Sequence, residues 1–201
     1  MPRDFILGYG SLLSDYSRRT YSGLTEATLP ALVEGWRRGW STRYRDEAAT
    51  YAGVREDAGA ALQAALVPAT VTDELRHRER GYAFTPVDPG RIHVEGDLPT
   101  GRFWIVVNHE QVQADPHHPI PQTYVDTCMI GCLETGGEDL ARDFVRSTEF
   151  WNEAWVDDRD QTSPLYPRLT PAEDDVRLTI DRLLAEAGIL DLRQALPGTE
   201  K

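Results

Sequence analysis

The pattern of apolar residues changes between the two halves of the chain, and this change restricts the fold more than any other feature. Before about residue 108, short apolar segments separated by turn residues predict β-strands. After about residue 122, apolar residues recur three and four positions apart, which predicts helices. Because the strands precede the helices and do not alternate with them, the pattern favours an α+β domain over a doubly wound α/β sheet. The length of 201 residues is that of one domain, so we expect a single domain over 1–201, mostly helical from 108 to 201.

Individual strands and helices follow from local composition. The predicted strands lie at 5–9, 29–40, 50–54, 62–69, 82–87, 91–95 and 102–107, with a turn at 55–59. The predicted helices lie at 72–80, 122–133 and 138–150, and from 170 to about 187. The last begins with Thr-Pro-Ala-Glu, a helix-capping pattern with Thr170 as N-cap, and stops at Gly188. We expect 156–169 to be a surface excursion, and 151–160 to be either a lid or a surface segment.

Charge and composition exclude several classes of function. The formal net charge is −12, whereas proteins that bind nucleic acid or anionic lipid surfaces present basic faces. The longest strongly apolar run beyond the first strand, 104–107, is too short to span a membrane, and the N-terminus lacks the shape of a signal peptide. We therefore expect a cytoplasmic protein that binds neither nucleic acid nor membrane. Eight tyrosines and five tryptophans predict either a core with polar tips or an aromatic-lined pocket.

The two cysteines, Cys128 and Cys132, predict neither a disulfide scaffold nor a zinc site. A small secreted disulfide protein carries more cysteines, and no cysteine or histidine stands at ligand spacing from this pair. On a helix their i, i+4 spacing places both on one face, so we expect buried free thiols, with redox chemistry as the alternative. The histidines also lack metal-ligand spacing. We expect no metal and no cofactor.

The first strand leads into a glycine-containing loop, Gly-Tyr-Gly-Ser-Leu-Leu at 8–13. It is not a dinucleotide fingerprint, since Leu13 stands where the third small residue is needed, and it lacks the lysine of a P-loop. It is not a nucleophile elbow either, since no glycine follows Ser11 by two positions. Two interpretations remain. The N–H groups of Gly10, Ser11 and Leu12 converge into an anion-binding nest, or the loop is a tight turn without a ligand.

The second candidate is the carboxyl of Glu79. On a helix Glu79 lies four residues after Leu75, so we expect it on the same, more buried face as that leucine. Desolvation there raises the pKa of a carboxyl, whereas the neighbouring Arg78 and Arg80 lower it. A tuned carboxyl of this kind suits proton transfer near neutral pH. The alternative is a carboxylate that pairs with one of its arginines on a solvated face.

At these two places the chain resembles the gamma-glutamylcyclotransferase-like family. The resemblance lies in Phe-Ile-Leu-Gly-Tyr-Gly-Ser-Leu at 5–12 and Leu-Arg-His-Arg-Glu-Arg-Gly-Tyr at 75–82, with the strand at 31–40 between them, and it covers roughly 4–107. The helix entry at 119–124 is similar to that of bacterial members. The resemblance implies an α+β fold with a small closed or partly open mixed β-barrel flanked by helices. It also implies a cofactor-independent acyltransferase or lyase, which cyclises a small γ-glutamyl compound to 5-oxoproline and releases its amine.

Carried over by position, the loop of Tyr9, Gly10, Ser11 and Leu12 grips the glutamyl moiety and Glu79 is the general acid/base. Tyr124 projects its hydroxyl toward the pocket or packs in the core. Two departures leave the substrate open. Residues 60–70 lack the Gly-x-x-Tyr/Phe strand of the glutathione-degrading branch, and Arg-Gly-Tyr at 80–82 replaces its Gly-Gly-Tyr.

Two other functions compete with this one. One is a non-catalytic small-molecule-binding module of the same fold. The other is a protein-interaction domain that uses exposed tryptophans on the C-terminal helices. The oligomeric state is open.

Overall fold

The structure, a computed structural model, describes residues 3–44, 47–69, 82–108, 110–161 and 164–196. Its main element is a mixed sheet of six strands in the order β4-β6-β1-β3-β2-β5. The strands are β1 (Asp4–Gly8), β2 (Leu29–Arg43), β3 (Thr50–Ala69), β4 (Ala83–Pro86), β5 (Ile92–Val94) and β6 (Arg102–Val107). β1 and β6 run parallel, and the other neighbours run antiparallel. Over the described residues the sheet ends at β4 and β5, so the predicted barrel is an open one.

The helices lie mostly in the second half of the chain, which confirms the predicted α+β class. They are α1 (Asp15–Ser22), α2 (Gln122–Ser147) and α3 (Asp174–Glu186). α2 is interrupted at Gly136 and Gly137, where the backbone is not helical. This confirms the predicted end of one helix and the start of another. Within the described ranges, no helix combines the length and the apolar composition that a membrane crossing needs.

The central strand β1 places the glycine loop in the middle of the molecule. All five residues of β1 are buried between β3 on one side and β6 on the other. The short apolar run at 5–9 predicted this strand to within one residue at each end. Gly131 of α2 lies directly against Leu13 and Ser14, so the helix packs on the turn that follows β1.

β3 is one continuous strand, and the predicted turn at 55–59 is wrong. The register between β2 and β3 shifts at Gly35, whose φ of +83° lies in the left-handed region that favours glycine. A local contact typical of a turn does form at 55–59, since the Asp57 carboxylate accepts the N–H of Gly59 at 3.1 Å. Because β2 supplies pairing partners on both sides, these residues form a bulge and do not reverse the chain.

The predicted start of the last helix is also wrong. α3 begins at Asp174, not at Thr170, and the buried Thr170 hydroxyl makes no hydrogen bond to any described residue. Thr170 therefore does not cap the helix. The predicted stop is confirmed, because α3 ends at Glu186 and Gly188 adopts a φ of +71°.

The segment that follows Trp155 is not a surface excursion. A small parallel sheet is formed by β7 (Ile120–Pro121), β8 (Trp155–Asp157) and β9 (Gln194–Ala195). Beyond β8, Asp158 and Tyr166 are almost completely buried. The Asp158 carboxylate accepts the backbone N–H and the hydroxyl of Thr123 at 2.8 and 2.7 Å, and the N–H of Leu165 at 2.9 Å. Asp158 thus ties this segment to the first turn of α2, which orients the residues after it toward β1.

The tryptophans do not form a surface patch. Trp36, Trp40 and Trp155 are buried, and Trp104 and Trp151 are half-buried. The large apolar side chains exposed among the described residues are Tyr16, Leu29, Leu169 and Leu178. A protein-interaction domain built on exposed tryptophans is therefore ruled out. The buried thiols of Cys128 and Cys132 are free, as the sequence predicted.

Candidate functional site

A cavity of about 310 Å³ opens where β1 ends. The sequence-predicted binding residues Tyr9, Gly10, Ser11 and Leu12 line it, and Tyr124 lines it from α2. The structure therefore brings these five residues together around one space. Their role in binding a substrate stays a prediction.

Gly10 and Tyr124 lie in direct contact. A Cβ atom added at Gly10 would lie 2.5 Å from the Tyr124 hydroxyl oxygen, so a side chain fits here only if the loop or the Tyr124 ring moves. The Tyr124 ring packs at 4.8 Å from Tyr51 and 6.0 Å from Trp40, measured between ring centroids. Tyr124 thus combines the two alternatives that the sequence left open, since its ring belongs to the core and its hydroxyl end reaches the cavity. Burial raises the pKa of this hydroxyl well above its ordinary value.

The loop contains three backbone donors that find no acceptor among the described residues. A short 3-10 turn follows Gly10, in which the N–H of Leu13 donates to the Gly10 carbonyl at 2.9 Å and the N–H of Ser14 to the Ser11 carbonyl at 3.2 Å. Over the described part of the chain, the N–H groups of Gly10, Ser11 and Leu12 have no such acceptor. Successive free N–H groups at a cavity wall are the arrangement that binds anions.

Two buried arginines hold the carbonyl groups of the same loop. Arg38 Nη1 donates to the Tyr9 carbonyl at 3.1 Å. Arg18 Nη1 donates to the carbonyls of Leu12 and Leu13 at 2.8 and 2.6 Å. Arg18 and Arg38 are 4% and 1% exposed, and burial lowers the pKa of both guanidinium groups. No motif in the sequence singled them out, because arginine supplies almost all the basic residues of this chain.

Tyrosine side chains form much of the remaining wall. Seven of the eight tyrosines line the cavity: Tyr9, Tyr21, Tyr44, Tyr51, Tyr82, Tyr124 and Tyr166. The Tyr9 hydroxyl donates to the Val106 carbonyl at 2.6 Å, across the β1–β6 side of the site. Both alternatives from composition are thus observed, since tyrosines line a pocket while buried aromatic rings also belong to the core. The tyrosines of the pocket are scattered along the chain, so no local pattern could have grouped them.

The Tyr166 hydroxyl is a buried polar group at this wall. It makes no hydrogen bond of normal geometry with any described residue. Burial raises its pKa, and the neighbouring Arg168 and Ser11 oppose that rise only in part. The hydroxyl is therefore neutral at neutral pH.

An ion pair completes the cavity wall. Arg168 Nη1 and Nη2 lie 3.1 and 3.3 Å from the two carboxylate oxygens of Glu47, which also accepts the Tyr51 hydroxyl. The Arg168 guanidinium lies over the rings of Tyr44 and Tyr166, at 5.7 and 5.1 Å from their centroids. Burial lowers the pKa of the Arg168 guanidinium, but its interactions with Glu47 and Tyr166 together raise it above its ordinary value, so Arg168 is charged. Sequence reasoning missed both charged residues, because each lies in a polar connection without a motif.

Glu79 lies outside the described residues, as does the whole predicted helix at 72–80. The nearest described residue on that side is Tyr82, which lines the cavity. Among the residues that the structure describes, no three histidine, cysteine, aspartate or glutamate side chains are grouped so as to hold a metal ion.

Comparison with known proteins identifies the fold. No model of a protein family and no curated protein matches the chain. A solved structure described as a gamma-glutamyl cyclotransferase matches with a TM-score of 0.56 and 14% identity, covering 89% of this chain and 98% of that one. An uncharacterized protein from Homo sapiens matches with a TM-score of 0.55 and 14% identity, covering 90% and 99%. The chain therefore has the fold of the gamma-glutamyl cyclotransferases, as the two segments of resemblance implied.

Proposed function

We propose that this protein is a γ-glutamylcyclotransferase-type enzyme of the cytoplasm. It converts a small γ-glutamyl compound to 5-oxoproline and a free amine, with Glu79 as general acid/base and no cofactor. One observation carries the proposal: Gly10, Ser11 and Leu12, whose backbone N–H groups have no acceptor among the described residues, line a cavity that Tyr82 also lines. The two free thiols agree with a reducing compartment.

The reaction needs little beyond positioning and proton transfer. The α-amine of the substrate attacks its own γ-carbonyl carbon, so a new C–N bond closes a five-membered ring and the C–N bond to the departing amine breaks. Because the nucleophile is tethered, a cavity that holds the folded conformer supplies much of the rate enhancement. The α-ammonium first loses one proton to solvent, which frees the amine for attack. The attacking nitrogen loses a second proton to Glu79 as the ring closes, Glu79 passes that proton to the departing nitrogen, and the released amine takes up a proton from solvent. One carboxyl thus serves both steps.

The loop has two possible anionic partners in this reaction. One is the α-carboxylate of the glutamyl moiety, and the other is the oxyanion that develops on the γ-carbonyl during attack. Backbone N–H groups bind either one, and their fixed positions favour stabilisation of developing charge.

Chain connectivity supports the assignment of Glu79. Glu79 precedes Tyr82 by three residues, and three fully extended residues span at most roughly 11 Å. The proposal takes this carboxyl as the group that serves the cavity that Tyr82 lines. Glu47, the carboxylate of the described wall, is less suited to proton transfer, because it already binds the Arg168 guanidinium and the Tyr51 hydroxyl.

The test is a substrate panel with two glutamate variants. The wild-type protein is incubated with γ-glutamyl dipeptides, glutathione and γ-glutamyl-lysine, and 5-oxoproline is measured by mass spectrometry. Glu79→Gln should lower kcat by roughly 10²–10⁴-fold, the usual contribution of a general acid/base, while the melting temperature stays near that of the wild type. Glu34→Gln is the matched control, because Glu34 is exposed on β2 and pairs with His93 away from the cavity.

The outcomes separate the candidate functions. Full activity of Glu79→Gln would reject the role assigned to Glu79. If no member of the panel yields 5-oxoproline but 5-oxoproline itself stabilises the protein, the chain is a non-catalytic binding module of the same fold.

A further inference from the structure

Arg38 is a buried cation that forms no ion pair with any described residue. Its guanidinium makes four hydrogen bonds, all to neutral oxygens: Nε to Thr148 Oγ1 at 2.8 Å, Nη1 to the carbonyls of Tyr9 and Gln63 at 3.1 and 3.2 Å, and Nη2 to Ser147 Oγ at 3.2 Å. It lies 3.8 Å from the centroid of the Phe144 ring. No carboxylate of the described chain is within ion-pair distance, and Asp143 acts on it only through space. A buried charge in this state is unfavourable for folding, which suggests that it serves the site.

One of the groups that Arg38 binds is the Tyr9–Gly10 peptide, at the start of the loop that lines the cavity. In a trans peptide, the carbonyl and the N–H point in opposite directions. Arg38 holds the carbonyl of the Tyr9–Gly10 peptide, so the N–H of Gly10 points away from the guanidinium. Gly10 lines the cavity, and its N–H has no acceptor among the described residues. A cation bound to the carbonyl polarises the amide group and makes its N–H a stronger donor.

Arg18 provides an internal comparison in the same loop. It also holds two carbonyls, those of Leu12 and Leu13. The N–H groups of these two peptides, however, are already used, because Leu13 donates to Gly10 and Ser14 donates to Ser11. Arg18 therefore fixes the shape of the loop without acting on an N–H that a ligand can use.

We propose that Arg38 is a positioning residue that acts through the Tyr9–Gly10 peptide. It aims the Gly10 N–H into the cavity and strengthens it as a donor to a carboxylate or oxyanion. The inference deepens the proposed function and rests on it for the identity of the anion. A merely structural arginine would support the loop as Arg18 does, and its removal would change activity only in proportion to stability.

The experiment follows the Gly10 amide directly. Protein labelled with ¹⁵N-glycine is titrated with 5-oxoproline, and the Gly10 amide shift is recorded for the wild type and for Arg38→Met, Arg38→Lys and Arg18→Met. In the wild type we expect the Gly10 resonance to move as 5-oxoproline binds. In Arg38→Met the affinity should fall about tenfold, the effect of weakening one hydrogen bond to an anion, and the Gly10 response should shrink. Arg38→Lys, which keeps the charge, should recover part of both.

The same variants are compared by turnover and by thermal unfolding. We compare the two methionine variants under conditions in which both have lost the same amount of thermal stability. Under those conditions, kcat/KM of Arg38→Met should be about tenfold or more below that of Arg18→Met. Arg18→Met should keep the Gly10 response to 5-oxoproline. Equal Gly10 responses in the two methionine variants would overturn the proposal, and so would a wild-type Gly10 amide that ignores saturating 5-oxoproline. The latter measurement needs no variant to fold.

Failure of the proposed function is a separate result. In one outcome, the wild type releases no 5-oxoproline from the panel, while its Gly10 amide still responds to added 5-oxoproline and the response depends on Arg38. That result supports the positioning role of Arg38 and rejects the enzymatic function.

Discussion

The cavity has two walls that are built in different ways. The loop wall, residues 9–13, offers backbone N–H groups, and Arg18 and Arg38 hold carbonyl groups of the same loop. The ion-pair wall offers side chains, namely the Glu47–Arg168 pair and the rings of Tyr44 and Tyr166. Backbone donors recognise a shape and a charge that every substrate shares, whereas side chains are free to differ between relatives. Under the proposed function, we expect the loop wall to bind the glutamyl moiety and the ion-pair wall to select the amine.

The largest expected effect comes from filling the space at Gly10. In Gly10→Ala the new methyl group overlaps the Tyr124 hydroxyl, so the loop must shift. We expect a loss of about 1–3 kcal/mol in the free energy of unfolding. We also expect a fall of about a hundredfold in kcat/KM, the effect of misplacing a site by about 1 Å. Urea denaturation and the substrate panel measure the two effects.

The distribution of the Gly10→Ala activity loss among substrates tests whether the two walls bind different parts of the substrate. If the loop wall binds the shared glutamyl moiety, Gly10→Ala lowers turnover of every γ-glutamyl compound by a similar factor. The double variant with Tyr124→Phe removes the overlapping hydroxyl and should recover part of the stability, with Tyr124→Phe alone as the control. A selective loss, confined to some amines, would contradict the assignment of the two walls.

The loop wall was visible in the sequence because backbone geometry leaves local marks. An apolar run predicted β1, and the glycine that follows it at position 10 marked a place without room for a side chain. The same local logic predicted the break in α2 at Gly136 and Gly137. These features depend on residues that are close in the chain, which is the range over which sequence patterns carry information.

The ion-pair wall was not visible, because it depends on contacts between distant segments. Tyr166 and Arg168 belong to a stretch predicted as surface, and they reach the cavity because Asp158 binds the first turn of α2 through Thr123. The predicted turn at 55–59 failed for a similar reason, since β2 pairs with β3 beyond it. In both cases a tertiary partner decided the outcome and the local composition did not.

A smaller and selective effect is expected from Arg168→Gln. The substitution removes the cation of the ion-pair wall and leaves the Glu47 carboxylate with the Tyr51 hydroxyl. Because the pair is partly exposed, we expect at most about 1 kcal/mol of lost stability. Turnover of amines that carry a carboxylate should fall about tenfold, the effect of one hydrogen bond to a charged group, through an increase in KM.

Neutral amines provide the comparison for Arg168→Gln. Their kcat/KM should change little, so the ratio between the two substrate classes reports the role of this wall. Arg168→Lys keeps the charge but not the paired geometry. Its ratio of kcat/KM between carboxylate-bearing and neutral amines should lie between those of the wild type and Arg168→Gln. Equal losses for charged and neutral amines would show that Arg168 supports the cavity as a whole and does not select the amine.

The smallest effect concerns the support of the ion-pair wall at low pH. Arg43, at the end of β2 and next to Tyr44, pairs with Asp115 at 2.8 Å. The Asp115 carboxylate also accepts the backbone N–H groups of His117 and His118 at 2.8 and 3.0 Å. The Arg43 hydrogen bond, aided by these two N–H groups, lowers the pKa of Asp115 from 3.8 to about 2.

The sign of the pH effect follows from this shift. Between the unfolded pKa of 3.8 and the folded pKa of about 2, the unfolded chain binds more protons than the folded one. The stabilisation by Asp115 is therefore complete above the unfolded pKa and is lost as the pH falls through the folded one. Urea denaturation of the wild type and of Asp115→Asn over this range should show the difference between them shrinking with acid. A constant difference would mean that the carboxylate charge of Asp115 does not hold this end of β2, and that the ion-pair wall is anchored by Glu47 and Arg168 alone.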